Sequence, residues 1–299
     1  MAAHLMISLD TEWLWGFRFH PTSRMMGVLQ NNQDKIIAII AAFLALYDKY
    51  SVPTTWAVVG KLFYEYPEVL ESIRESETEH EIGYHSYSHI RFSQASRAAA
   101  ETELEEGLKI QDEFGVRFRS FVFPENLIGH EDLLQEYGFL IYRGSNNAGA
   151  NTNKSLPIRA INHARFRIVA PPVEPHWKGT IWEIPSSMQF YDARLPTLTA
   201  FRAKQGIKKA MEAGSIFHMF LHPETVLIDP KLLDRLEEVL QFVKTATEKK
   251  ELRPITMGDF AEVIKCSYLA GAQQNSTLRF DKKWRSNNGT ESHASAHTF

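Results

Sequence analysis

Hydrophobic residues along this chain follow two alternating patterns. Between Asp34 and Tyr50 the apolar positions Ile36, Ile37, Ile40, Phe43, Leu44 and Leu46 recur with a helical period, and Val52 to Val59 then form a short continuous run that reads as a buried strand. The same rhythm continues downstream. Leu5 to Leu9, Val116 to Phe123, Leu140 to Tyr142, Gly179 to Ile184, Ile216 to Leu221 and Leu252 to Ile255 read as further strands. Tyr66 to Glu75, Ala98 to Phe114, Glu131 to Tyr137 and Pro230 to Thr247 read as helices. Strands alternating with helices predict an α/β chain, a distorted (β/α) barrel of about seven parallel strands, with its chemistry gathered at the C-terminal strand ends. Asp10, His85, Pro124 and His222 each follow a predicted strand.

Composition bounds what such a barrel does. The chain has 299 residues, 44% of them hydrophobic and 23% charged, enough for a sizeable core without disulfide staples. No Pro/Gly/Ser linker or repeat divides it, so residues 1–268 are expected to form one domain. Residues 269–299 turn polar and read as a loosely held extension. Its Lys282-Lys283-Trp284-Arg285 cluster and its His293 and His297 read as solvated tail. Cys266 is the single cysteine and cannot form an internal disulfide. Residues 1–10 lack the basic start and long apolar stretch of a signal peptide, and the apolar run Ile36 to Leu46 is too short to span a bilayer. A cytoplasmic protein with no transmembrane segment is expected. A net charge of −3 and the lack of a basic, aromatic-interleaved stripe argue against a nucleic-acid partner.

The chemistry-bearing residues are sparse. In Glu81-Ile82-Gly83-Tyr84-His85-Ser86-Tyr87-Ser88-His89 two imidazoles stand four apart, and on one helical turn they would share a face and reach one zinc-type ion. Two surface or capping histidines are the plain alternative. A third ligand is offered where Leu5 to Leu9 runs into Asp10-Thr11-Glu12, because carboxylates spaced by two on a strand can share one face.

These residues resemble the motifs of the NodB-homology polysaccharide deacetylases, the fourth family of carbohydrate esterases. His85-Ser86-x-x-His89 matches that family's His-Ser/Thr-x-x-His motif, and Val52-Pro53-Thr54-Thr55 through Gly60 is similar to its second strand. Phe121 to Asn126 lies where the third motif falls, Phe220-Leu221-His222 shares the Leu and His of the fifth, and Pro254 to Asp259 resembles the closing strand and turn. The order agrees over roughly residues 5–265. The resemblance implies Asp10 as catalytic base, His85 and His89 as ligands of a divalent metal, most simply Zn2+, and His222 as general acid.

Two departures from the pattern matter. The family's second acid falls on Thr11, so Glu12 is assigned as third metal ligand; were Glu12 a surface carboxylate beside Trp13 and Trp15, Asp10 would take that place. The arginine expected two residues before Pro124 is Val122, and Arg143 is nominated in its stead to orient the base. Pro124 and Asn126 are expected to contact substrate, with Trp13 and Trp15 as aromatic faces for sugar stacking and Phe17, Trp177 and Trp182 adding to that surface. His218 is expected to be a buried, hydrogen-bonded residue, and Asp259 is a candidate support for the histidine.

The expected function is metal-dependent hydrolysis of an N-acyl (acetyl or formyl) group from an amino sugar in surface polysaccharide biosynthesis, such as that of O-antigen. An unexported enzyme of this kind would meet an N-acylated sugar, sugar nucleotide or lipid-linked saccharide. A small-amide hydrolase of the ureide type, or a catalytically silent sugar-binding barrel, stands as the alternative.

Overall fold

The structure, a computed structural model, describes residues 3–144 and 170–265. Of these, the residues up to Asp259 belong to one compact unit and 260–265 to a second. The expected domain boundary, Cys266, the 282–285 cluster, His293 and His297 lie outside the described residues.

Strand β1 (Ala3–Thr11) is central, and its continuous apolar run is explained by burial on both faces, as a parallel strand requires. It pairs in parallel with β9 (Ile216–Leu221) along one edge. Its other edge is shared by β10 (Leu252–Pro254) at its start and β2 (Thr55–Val58) at its end. From β2 the sheet continues through β3 (Glu81–Tyr84), β4 (Ser120–Val122) and β5 (Ile141–Gly144) to β7 (Trp182–Pro185), all parallel. β6 (His176–Trp177) is a short antiparallel addition to β7. Two serines after β7, β8 (Met188–Gln189) pairs with β9, so one bent stretch of chain joins the two flanks of the sheet. Among the described residues, and with β7 and β8 counted as one member, seven parallel strands make up the sheet, with β10 a short eighth off that path beside β1, in agreement with the expected distorted (β/α) barrel.

Helices α2 (Ile36–Tyr50), α5 (Arg97–Phe114) and α8 (Leu232–Glu248) coincide with the predicted periodic stretches. α5 shows how local signals fix the bounds. Ser96 accepts a hydrogen bond from the Ala99 amide at the N-cap, and Gly115 (φ 60°) takes the left-handed C-terminal position. Its buried face, Ala100, Glu103, Leu104, Gly107 and Ile110, follows the helical period. At Gly107 a β-carbon would come within 2.7 Å of the Tyr84 ring, so glycine permits the helix to lie against β3. The short helices α1 (Arg24–Gln30), α3 (Gly60–Glu65), α4 (Pro67–Arg74) and α6 (Glu131–Glu136) fill the first half. Helix α7 (Thr199–Ala213) has no counterpart in the sequence reading. Its buried face is Thr199, Ala200, Arg202, Ala203, Gly206, Ile207 and Ala210, in which Ile207 is the one large apolar residue. Among the described residues no helix is long and apolar enough to cross a membrane.

Candidate metal and catalytic site

The predicted residues converge at the C-terminal ends of β1, β3, β5 and β9. Glu12, His85 and His89, all buried, present ligand atoms within 4.8 Å of one another. Glu12 Oε2 lies 3.2 Å from His85 Nε2 and 2.8 Å from His89 Nε2. His85 Nδ1–H donates to the Val122 carbonyl (2.7 Å), which fixes the tautomer and leaves the Nε2 lone pair facing Glu12. Neither ring nitrogen of His89 has a hydrogen-bond partner, since its close approach to Glu12 is misaligned for one. Three ligand-type atoms crowded together, one on an imidazole that hydrogen bonding leaves unsatisfied, fit a divalent ion of the zinc kind.

The histidine pair does not reach this arrangement on a helix. Residues 86–89 form a loop in which Ser86 (φ 60°) and His89 (φ 57°) adopt left-handed backbone, so the expected helical turn is replaced by a tight irregular one. The ring centroids stand 5.0 Å apart. Glu103 of α5 holds the loop, accepting hydrogen bonds from the Ser88 amide (2.8 Å) and hydroxyl (2.6 Å). Trp13 (φ 48°), Glu125 (φ 53°) and Asn126 (φ 54°) are also left-handed. That cluster of unfavourable backbone marks site loops that the surrounding fold over-determines. Gly16 is required for space, because a β-carbon there would lie 2.0 Å from Glu12 Oε1.

Asp10 is bound by Arg143 in a fork, Nη1 to Oδ1 and Nη2 to Oδ2, both at 2.6 Å. The register of β4 and β5 sets Val122 directly beside Arg143, so the guanidinium missing from the third motif arrives from the neighbouring strand at the same level. Burial alone would raise the Asp10 carboxyl. The charge and hydrogen bonds of Arg143, with His222 and His85 nearby, outweigh it and hold Asp10 below the usual carboxylate range. Glu12 is likewise held well below its ordinary value, against burial, by His222, His89 and His85. His222 Nε2 stands 3.7 Å from Asp10 Oδ2 and 3.5 Å from Glu12 Oε1, and its Nδ1 lies 3.2 Å from the Gln189 amide nitrogen.

Several expected contacts fall elsewhere. Trp13 is 2% exposed and belongs to the core, which gives it a packing role rather than an open stacking face. Trp15 and Phe17 are half-buried against the core, and the Trp15 indole donates to Glu65 (3.0 Å). Trp177 and Trp182 pack together at the start of β7, the opposite end of the strand from the site. Pro124 is buried at the head of a short 3-10 turn, and Asn126 directs its amide oxygen to Arg143 Nε (3.2 Å) and Nη2 (3.0 Å). Asp259 pairs with Arg119 (2.8 Å) and supports no site histidine. Sequence reasoning missed Glu224, a buried carboxyl raised well above its ordinary value by burial and then by Glu12 and Asp10. Its place two residues after His222 was the available signal.

Comparison with known proteins bears on the fold that carries this site. Residues 34–139 match the family model described as polysaccharide deacetylase. His85, His89, Pro124 and Asn126 fall within that span, whereas Asp10, Glu12, Arg143 and His222 lie outside it. Among solved structures, one from Mycobacterium smegmatis assigned as a polysaccharide deacetylase superposes with a TM-score of 0.68 at 17% identity, covering 89% of this chain and 91% of its own. Another so assigned, from Pseudomonas aeruginosa PAO1, gives 0.65 at 17% identity over 87% and 89%. The Puue allantoinase gives 0.62 at 15% identity over 87% and 89%. At these identities the likeness concerns the fold. No curated protein sequence matches the chain. Residues 34–139 thus match the polysaccharide deacetylase family model, and the barrel has the fold of the solved structures on which it superposes.

Proposed function

We propose that this protein is a metal-dependent hydrolase that removes an N-acyl group, acetyl or formyl, from an amino sugar. The observation that carries the reading is the adjacency of two differently equipped carboxylates. Glu12 lies with His85 and His89 in a ligand cluster, while Asp10 is turned into the Arg143 fork. Glu12, His85 and His89 would hold the ion, with zinc as the species this donor set suits. A bound divalent ion supplies Lewis acidity toward the acyl carbonyl and toward water.

Asp10, kept ionised by Arg143, takes the proton from the attacking water as general base. His222, within 4 Å of both carboxylates, returns a proton to the departing amine. Arg143 and Asn126 hold the base in place. The substrate in this reading is a sugar nucleotide or lipid-linked saccharide of surface polysaccharide biosynthesis, such as O-antigen, handled in the cytoplasm. A small amide would engage the same residues, and the fold-level likeness to an allantoinase is what supports that second reading.

Elemental analysis and turnover on N-acylated amino sugars test the proposal together. About one divalent transition metal per chain is expected, lost in His85→Ala and His89→Ala. Asp10→Asn is expected to keep the metal and lose at least about 100-fold in kcat. Wild-type metal content in both histidine variants refutes the ligand set, and hydrolysis of ureides alone selects the small-amide reading.

A further inference from the structure

The guanidinium of Arg143 is 0% exposed and has five N–H donors, each of which must find an acceptor. Asp10 takes one from each terminal nitrogen, and Asn126 Oδ1 takes Nε–H and the second from Nη2. The fifth, on Nη1, points at Ser8 Oγ at 3.1 Å. Ser8 sits one alternation before Asp10 on the same face of β1 and is wholly buried. Its own partner is His218 Nε2 at 3.0 Å, contributed by β9 from 210 residues away.

One set of proton directions satisfies this column. Burial, aided by the charge of Arg143, depresses His218 to about 3, so its ring is neutral. His218 Nδ1 faces the Pro185 carbonyl at 3.2 Å and must carry the proton, which leaves Nε2 as a lone-pair acceptor. Ser8 therefore donates to His218, and its oxygen is left to accept from Arg143. The His218 amide is in turn fixed by the Ser187 hydroxyl (3.1 Å).

We propose that Ser8 and His218 are positioning residues that lock the plane of the Arg143 guanidinium and so hold Asp10 in its reactive orientation. The lock extends the proposed catalytic reading, but its first consequence is independent of activity. A guanidinium held at all five donors rotates slowly about Cζ–Nε and gives separate resonances for its two Nη nitrogens.

Nitrogen-15 NMR of the full-length protein, combined with kinetics, tests the lock. Wild type is expected to show resolved Arg143 Nη signals. Ser8→Ala should merge them and lower kcat by roughly tenfold, with KM within about twofold and metal content unchanged, since a misplaced base affects the reaction step more than binding. Ser8→Thr, which retains the hydroxyl, should preserve resolved signals and kcat. His218→Leu frees the hydroxyl to turn and should broaden the signals as Ser8→Ala does. Resolved Nη signals in Ser8→Ala overturn the lock whatever the activity, and wild-type signals in His218→Leu reduce His218 to packing. Unchanged kcat in Ser8→Ala, in a preparation where Asp10→Asn is inactive, refutes the positioning role. Should wild type hydrolyse no acylated sugar, the catalytic reading fails while the NMR result still decides the lock.

Discussion

At the start of β3, partly buried His80 and buried Glu81 hydrogen-bond to neutral groups; at the end of β1, buried Asp10 and Glu12 face an arginine and three histidines. Glu81 accepts from the Thr55 hydroxyl and the Gly258 amide, both at 2.8 Å, and burial raises its carboxyl above the usual value. His80 accepts from the Thr54 amide at 3.1 Å, and burial depresses it to about 4. Both groups are thereby biased toward their uncharged forms, and they tie β2, β3 and the closing turn together. The opposite end of the same sheet uses burial differently. There, Arg143 beside Asp10 and the three histidines around Glu12 outweigh desolvation and hold both carboxyls below their ordinary values. At His80 and Glu81 the pull of Asp48 and of Arg119 does not overcome burial, whereas at Asp10 and Glu12 the pull of the partners does.

The contrast predicts a ladder of effects. Arg143→Ala leaves the Asp10 charge buried without its partner and is expected to cost about 3–5 kcal/mol of stability, as loss of one member of a buried ion pair does. Urea unfolding measures it, and a loss below about 1 kcal/mol would mean that Arg143 is not what keeps Asp10 charged.

At the neutral end, His80 should make the fold acid-sensitive. Its folded value of about 4 lies below the ordinary 6.5, so the unfolded chain binds more protons between those pH values. The contribution of His80 is fully present above pH 6.5 and is lost as the pH falls through 4, about 3 kcal/mol in all. Urea midpoints from pH 7 to 4 should therefore fall less steeply in His80→Asn than in wild type. Equal slopes would show that the ring carries its proton in the folded state.

A smaller, chemical effect is expected at His222. If it protonates the leaving amine, His222→Ala should depress kcat at least tenfold more on an amide than on an activated acetate ester, roughly 1.4 kcal/mol, with metal content unchanged. Equal losses on both substrates make it an orienting residue. The smallest effect belongs to Glu81→Gln, which retains an acceptor for Thr55 and Gly258 and is expected to change stability by less than about 1 kcal/mol at pH 7. A loss comparable to that of Arg143→Ala would mean that Glu81 is ionised and the two ends are alike.

Much of this molecule was written in local patterns. Strand and helix order, the strand-end positions of Asp10, His85 and His222, and Glu12 two residues beyond Asp10 follow from period, length and short motifs, because each reports on residues close together in the chain. Arg143 could be nominated but not placed; its contact with Asp10 spans 133 residues and depends on the β4–β5 register. The left-handed turn at Ser86 and His89, the burial of Trp13, the small-residue face of α7 and the raised carboxyl of Glu224 had no comparable local signature. Nor did the column from His218 through Ser8 to Arg143, drawn from three strands. Propensity and periodicity act over a few residues and so fix the elements, whereas charge state and hydrogen-bond direction are set by whatever the folded chain brings within a few ångströms. The sequence therefore determined which chemical groups stand at the strand ends, and only the tertiary structure decided which of them are ionised, which are buried and which hold one another in place.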